Sequence, residues 1–183
     1  MNSSQALSKL MEGNNRYVET GRNDSVFGKE YLKDLAENGQ HPFACVICCA
    51  DSRVVPENIF SVNIGEIFTI RNAGNVIDNA EVGSAEYAAL HLHVPLILVL
   101  GHTKCGAVQA ALSGNDEGKI GYIASRIKKE LGDETDPRIC SARNTVHGAN
   151  TLKESPILSK LISEEKLRIA VALYDVDTGK VSF

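Results

Sequence analysis

The chain reads as an α/β protein, a central and mostly parallel β-sheet flanked by helices. Three observations predict this. Short apolar runs at 43–50 and 95–100, and one at 167–174 interrupted only by Arg168, have the length and continuity of strands covered on both faces. Longer segments between them carry apolar residues at helical spacing. The first two of those runs also break off abruptly into turns rich in Cys, His, Asp and Arg, as happens where a site is built at the carboxyl ends of strands.

In chain order, residues 3–20 place Ala6, Leu7, Leu10, Met11 and Tyr17 at roughly helical spacing, with Ser3 or Ser4 as N-cap. No strand follows this helix directly, so it is expected to pack on a partner subunit. Residues 21–28 are loop by composition. A short helix over 29–38 is ended by Asn38-Gly39. After the strand at 43–50, Pro56 suits the first turn of a helix. A second strand spans 66–71, with Asn72-Ala73-Gly74-Asn75 as its turn. The segment 79–93 predicts an amphipathic helix on Val82, Ala85, Ala89 and Leu92. Strand 95–100 follows, then helices at about 106–113, 117–131 and 144–163, the last kinked near Pro156. Strand 167–174, the turn 175–179 and a short return over 181–183 close the chain.

The 183 residues suit one domain over 1–183, with no repeat, linker or low-complexity tract. Apolar residues make up 43% and charged residues 23%, the balance of an ordinary soluble protein. A net charge of −4 with no basic block argues against nucleic acid as a partner. The N-terminus lacks the charged start and apolar core of a signal peptide, and no run approaches the ~18 apolar residues of a membrane span. Five cysteines, an odd number set mostly in apolar sequence, suit a reducing cytoplasm better than a disulfide framework.

The chemistry concentrates in two places. One is Cys49-Ala50-Asp51-Ser52-Arg53, the other Gly101-His102-Thr103-Lys104-Cys105-Gly106. Zn²⁺ accepts cysteine sulfur and histidine nitrogen, and a catalytic site uses three protein ligands with one place open. If the two strands are neighbours, Cys49, His102 and Cys105 converge on one ion. Cys45, Cys48 and Cys140 read as buried small hydrophobes. Cys45-Val46-Ile47-Cys48 has redox spacing, but residues three apart on a strand face opposite ways, so it is a poor redox pair. Asp51 lies two residues from Cys49 and two from Arg53, whose guanidinium would keep its carboxylate ionised. It is placed either to accept a hydrogen bond at the fourth metal position or, in an inactive state, to take that position itself.

These residues carry a resemblance. Cys-x-Asp-Ser-Arg followed by His-x-x-Cys-Gly is similar to the β-class carbonic anhydrases. The likeness extends through Leu10 to Tyr17, Arg71-Asn72-Ala73-Gly74-Asn75, Glu86-Tyr87-Ala88, Gly101 to Val108 and Tyr174 to Gly179. The resemblance implies a zinc enzyme that hydrates carbon dioxide reversibly to bicarbonate and a proton. It implies zinc on Cys49, His102 and Cys105, with Asp51 and Arg53 as the catalytic dyad. It further implies a substrate pocket of Gln40, Phe68, Ala73, Tyr87 and Gly106. The assembly implied is a homodimer at least, or a homotetramer. Two departures stand out: Ala73 where some members have valine, and Ala172 where many have glycine. His41, His91, His93 and Tyr87 all qualify as carriers of the product proton. Hydrolysis of carbonyl sulfide or carbon disulfide on the same scaffold is one alternative reading, and a zinc-binding protein without turnover is the other.

Overall fold

The structure, a computed structural model, describes residues 1–23, 28–115 and 117–183. Part of the expected 21–28 loop, residues 24–27, lies outside the described residues. The centre is a five-stranded sheet of β1 (Ala44–Cys49), β2 (Ile67–Asn72), β3 (Leu96–His102), β4 (Arg168–Tyr174) and β5 (Val181–Ser182), in the order β2-β1-β3-β4-β5. The first four strands run parallel, and β5 returns antiparallel along the end of β4. The chain leaves β1 toward β2 on one side and resumes at β3 on the other. The strand order therefore reverses between β1 and β3, and the crevice of such a sheet opens at the carboxyl ends of that pair.

Strand alternation sorts the core into two faces. Val46, Cys48, Leu96, Leu98 and Leu100 pack on one side with Ala6 and Leu10 of α1 (Ser3–Thr20) and with Ile59 and Phe60. Cys45, Ile47, Ile97 and Val99 pack on the other with residues of α4 (Asn79–Leu90), α7 (Pro137–Lys153) and α8 (Pro156–Ser163). Cys45 and Cys48 thus belong to opposite faces, and burial pushes the Cys48 thiol up to about 12. A third cluster caps the carboxyl end. There Cys49, Cys105 and Cys140 meet α5 (Gly106–Leu112) and α6 (Gly118–Leu131). α2 (Lys29–Asn38) and α3 (Pro56–Ile59, with Pro56 in its first turn) complete the elements used below.

Three expectations, on the α1 cap, the 79–93 helix and the 144–163 helix, are corrected, and the packing of α1 is specified. Asn2, not Ser3 or Ser4, caps α1: its side chain accepts from the Gln5 amide at 2.9 Å, while the Gln5 side chain accepts from the Asn2 amide at 2.9 Å. The apolar stripe of α1 covers the chain's own sheet through Ala6 and Leu10, and it leaves Met11 and Val18 exposed on the outer side. The helix expected over 79–93 ends at Leu90, and His93 sits in the left-handed region at φ 54°. The kinked helix expected over 144–163 is two helices, α7 and α8. α7 starts at Pro137 behind an Asp136 cap; α8 starts at Pro156 behind Ser155, whose hydroxyl accepts from the Leu158 amide. No helix among the described residues is long and apolar enough to cross a membrane.

Candidate metal centre and active site

β1 delivers Cys49 as its last residue, and the neighbouring β3 delivers His102 as its last. A turn with Lys104 in the left-handed region (φ 56°) then swings Cys105 back to start α5. The ligating atoms of Cys49, His102 and Cys105 lie within 4.8 Å of one another, and all three residues are buried. No other group of His, Cys, Asp or Glu forms such a cluster among the described residues.

The imidazole is oriented by its own neighbour. Nδ1 of His102 lies 2.9 Å from the Thr103 carbonyl oxygen, which can only accept, so the proton sits on Nδ1. Nε2 therefore presents a lone pair, and it is buried without a hydrogen-bond partner. Thr103 is itself tied to the next strand. Its amide donates to the Tyr174 carbonyl at 2.9 Å, and its hydroxyl accepts from the Val176 amide at 3.1 Å.

The two sulfurs influence each other's protonation. Cys49 is held below the ordinary thiol value, chiefly by the Cys105 side chain, with burial opposing and the nearby His102 ring and the amides of Asp51 and Gly74 assisting. Cys105 is correspondingly raised, first by the Cys49 side chain and then by burial. The Asp51 amide donates to the Cys49 sulfur at 3.4 Å and the Gly74 amide at 3.3 Å. Two buried sulfurs and an orphaned imidazole nitrogen are the donor set that Zn²⁺ accepts in a three-ligand site, and they fit that ion.

Asp51 does not join the cluster. Arg53 grips its carboxylate from Nε and Nη2, and this guanidinium is the largest cause holding Asp51 well below the usual carboxylate range. Nη2 of Arg53 also donates to the Lys104 carbonyl at 3.2 Å, which ties the pair to the Cys105 turn. Arg71, near the end of β2, clamps the turn from below. Its Nε donates to the Cys49 carbonyl at 3.3 Å and its Nη2 to the Asp51 carbonyl at 2.9 Å. Sequence reasoning passed over Arg71, Gly74 and Thr103 as site residues. An arginine near the end of a strand that is otherwise largely apolar was the available signal.

A cavity of about 560 Å³ opens at this end of the sheet, lined in part by Cys105, Gly106 and Gln109. Ion pairs stand in its wall, Lys104 with Asp177 at 2.6 Å and Arg138 with Asp175 at 2.9 Å. Of the five residues expected to form a substrate pocket, Gly106 alone lines it. Phe68 and Tyr87 lie together, ring centroids 6.0 Å apart, with Phe68 on the edge strand β2 and Tyr87 47% exposed. Ala73 is exposed in the turn that follows β2, and Gln40 is exposed before the amino end of β1. Within one chain Gln40 and Cys49 therefore stand at opposite ends of the same strand. Of the expected proton carriers, His91 stacks near Tyr87 with centroids 5.2 Å apart.

Comparison with known proteins agrees with this geometry. The carbonic anhydrase 2 of Mycobacterium tuberculosis is 37% identical over 190 residues, covering 96% of this chain and 89% of that protein. A carbonic anhydrase of Mycolicibacterium smegmatis is 44% identical over 126 residues, 68% of this chain and 61% of that one. The solved β-carbonic anhydrase CafA of Aspergillus fumigatus superposes with a TM-score of 0.74 at 28% identity, covering 98% of this chain and 88% of that one. The Coccomyxa β-carbonic anhydrase, solved with acetazolamide, gives a TM-score of 0.72 at 27% identity, covering 96% and 85%. The family profile for carbonic anhydrase matches residues 44–181, a span that runs from the first residue of β1 into β5 and contains all three metal-site residues, and the chain belongs to that family, in its β class.

Proposed function

We propose that the protein catalyses the reversible hydration of carbon dioxide to bicarbonate and a proton, with zinc held by Cys49, His102 and Cys105. The observation that carries this reading is the cluster of two sulfurs and one unpartnered imidazole nitrogen beside a carboxylate held off by its own arginine. Among the described residues three donors converge, not four, which favours a catalytic over a structural metal site.

Bound there, zinc supplies the Lewis acidity that makes water nucleophilic near neutral pH. The chain's own residues do the rest. An ionised Asp51 has no proton to give, so a water beside it is oriented with a hydrogen toward the carboxylate and a lone pair toward the substrate carbon. Arg53 keeps that carboxylate ionised and points it. The buried sulfurs and the closed third cluster exclude bulk water from one side of the site.

Gln40, Phe68, Ala73 and Tyr87 are assigned to a substrate pocket completed by a second copy of the chain. Two features support this: β2 is an edge strand, and Tyr87 beside it is exposed. The outward Met11 and Val18 of α1 add apolar surface for the same contact, so the dimer is the minimum unit. The described cysteines are all unpaired, which suits the cytoplasm. The test is Cys105→Ser. Zinc and carbon dioxide hydration should be lost together, and full zinc occupancy in that variant contradicts the ligand assignment.

A further inference from the structure

The sulfur of Cys49 is served by an amide that the chain goes to some length to hold in place. Gly74 donates that amide from a turn in which it and Asn75 both occupy the left-handed region, at φ 73° and φ 44°. Glycine takes that conformation freely, and Asn75 is of a type that tolerates it, so the turn is built from residues suited to it. Space fixes Gly74 as well: a Cβ there would lie 2.8 Å from Ile127 Cδ1 and 2.9 Å from Ala107 Cβ. The remaining restraint comes from far along the chain. Asn144 on α7, 4% exposed, donates from Nδ2 to the Gly74 carbonyl at 2.8 Å.

We infer that Asn144 is a positioning residue for the Cys49 sulfur, acting through Gly74. Its amide pins the carbonyl that follows the Gly74 Cα, which restrains the turn from which the N–H on the other side reaches Cys49. Hydrogen bonds to a ligating sulfur orient it and draw off part of its charge, so losing one alters both metal affinity and the metal–sulfur bond. Asn144 touches no ligand and no substrate. The inference rests on Cys49 being a zinc ligand, and it adds that the restraint on that ligand originates in α7.

A buried polar residue just beyond α7 supplies the control. Ser155 is 6% exposed, and its hydroxyl donates to the Glu86 carboxylate at 2.6 Å. Ser155→Ala removes a buried hydrogen bond of comparable kind that touches neither Gly74 nor the metal-site residues.

The experiment compares zinc affinity, by competition with a chromophoric chelator, in the wild type, Asn144→Leu, Asn144→Gln and Ser155→Ala. It also records the sulfur-to-cobalt charge-transfer band of each cobalt-substituted protein. Asn144→Leu should lose about tenfold to a hundredfold in affinity and shift the band. Asn144→Gln, which keeps an amide donor, should recover part of both, and Ser155→Ala should match the wild type. If Asn144→Leu does not fold, Asn144→Ala removes the same donor without forcing an apolar chain into the site and carries the same expectation. A wild type that binds zinc while the folded Asn144 variant keeps its affinity and band overturns this inference alone. A wild type that takes up no zinc overturns the metal assignment, and this inference with it.

Discussion

Arg53 holds Asp51 by both carboxylate oxygens, Nε 3.0 Å from Oδ1 and Nη2 2.8 Å from Oδ2, while the Arg53 amide adds a third bond to Oδ1 at 3.0 Å. The Arg53 side chain is half exposed, so the pair adds little to stability. Its geometry is that of an orienting device: a planar fork that fixes the plane and charge of one carboxylate beside a metal site.

Arg53→Ala should therefore separate activity from folding. Carbon dioxide hydration should fall on the order of tenfold to a thousandfold, as when one oriented group is removed from a preorganised site. Zinc content and melting temperature should stay near the wild-type values. Stopped-flow hydration with metal analysis checks this, and a variant with near-native turnover contradicts the proposed role.

A second expectation concerns Gly101, the residue before His102. A Cβ there would lie 2.0 Å from Thr145 Oγ1, so α7 presses directly on the end of β3. Gly101→Ala should cost about 1–3 kcal/mol of stability by overpacking. Adding Thr145→Ala should return a good part of it, and denaturant melts of the two single variants and the double variant measure the coupling. Additive losses would place the strain elsewhere.

The docking of α1 should weaken in acid. Lys9 on α1 meets Glu66 at 2.7 Å and lies over the Phe43 ring, 4.1 Å from its centroid. Burial raises the Glu66 carboxyl, but the hydrogen bonds from Lys9 and from the Asn63 amide, with the Lys9 charge, outweigh it and leave the group lowered. A carboxyl lowered in the folded state contributes stability above its unfolded pKa, about 4.3, and loses that contribution as pH falls through the lower folded value. Glu66→Gln should thus cost about 0.5–1 kcal/mol at neutral pH. The gap from wild type should close below about pH 4. A gap that widens in acid has the wrong sign for this pair.

Much of this was legible in the sequence, for identifiable reasons. The strand runs ending at Cys49 and beyond Leu100 are covered on both faces, so they are uniformly apolar and stand out. Donor type then singled out Cys49, His102 and Cys105. The start of α7 was missed because its buried face carries Ser141, Asn144, Thr145 and Gly148, which show no apolar period. Asp136-Pro137 was the overlooked start signal. The service of Gly74 to Cys49 had no local signature, and the arginine at the end of β2 did not name its partner, since both bonds exist only once β1 and β2 pair. The position of Gln40 follows from which end of β1 faces the crevice, a fact of topology and not of composition.

The assembly carries its own prediction. Met11→Glu with Val18→Glu should dissociate the proposed dimer, because both residues lie on the outer side of α1 at 43% and 44% exposure. If Gln40 and Tyr87 act across that contact, hydration should fall with the monomer fraction while zinc stays bound. Sedimentation velocity and turnover measured over one concentration series check both halves. A monomer with undiminished turnover contradicts the shared pocket.

The most direct measurement is the initial rate of carbon dioxide hydration by the zinc-loaded wild-type protein, followed by stopped flow with a pH indicator at known metal content. The account predicts about one zinc per chain, and hydration proportional to zinc content that disappears when a chelator strips the metal. Protein that holds its full zinc yet hydrates carbon dioxide no faster than buffer would contradict it.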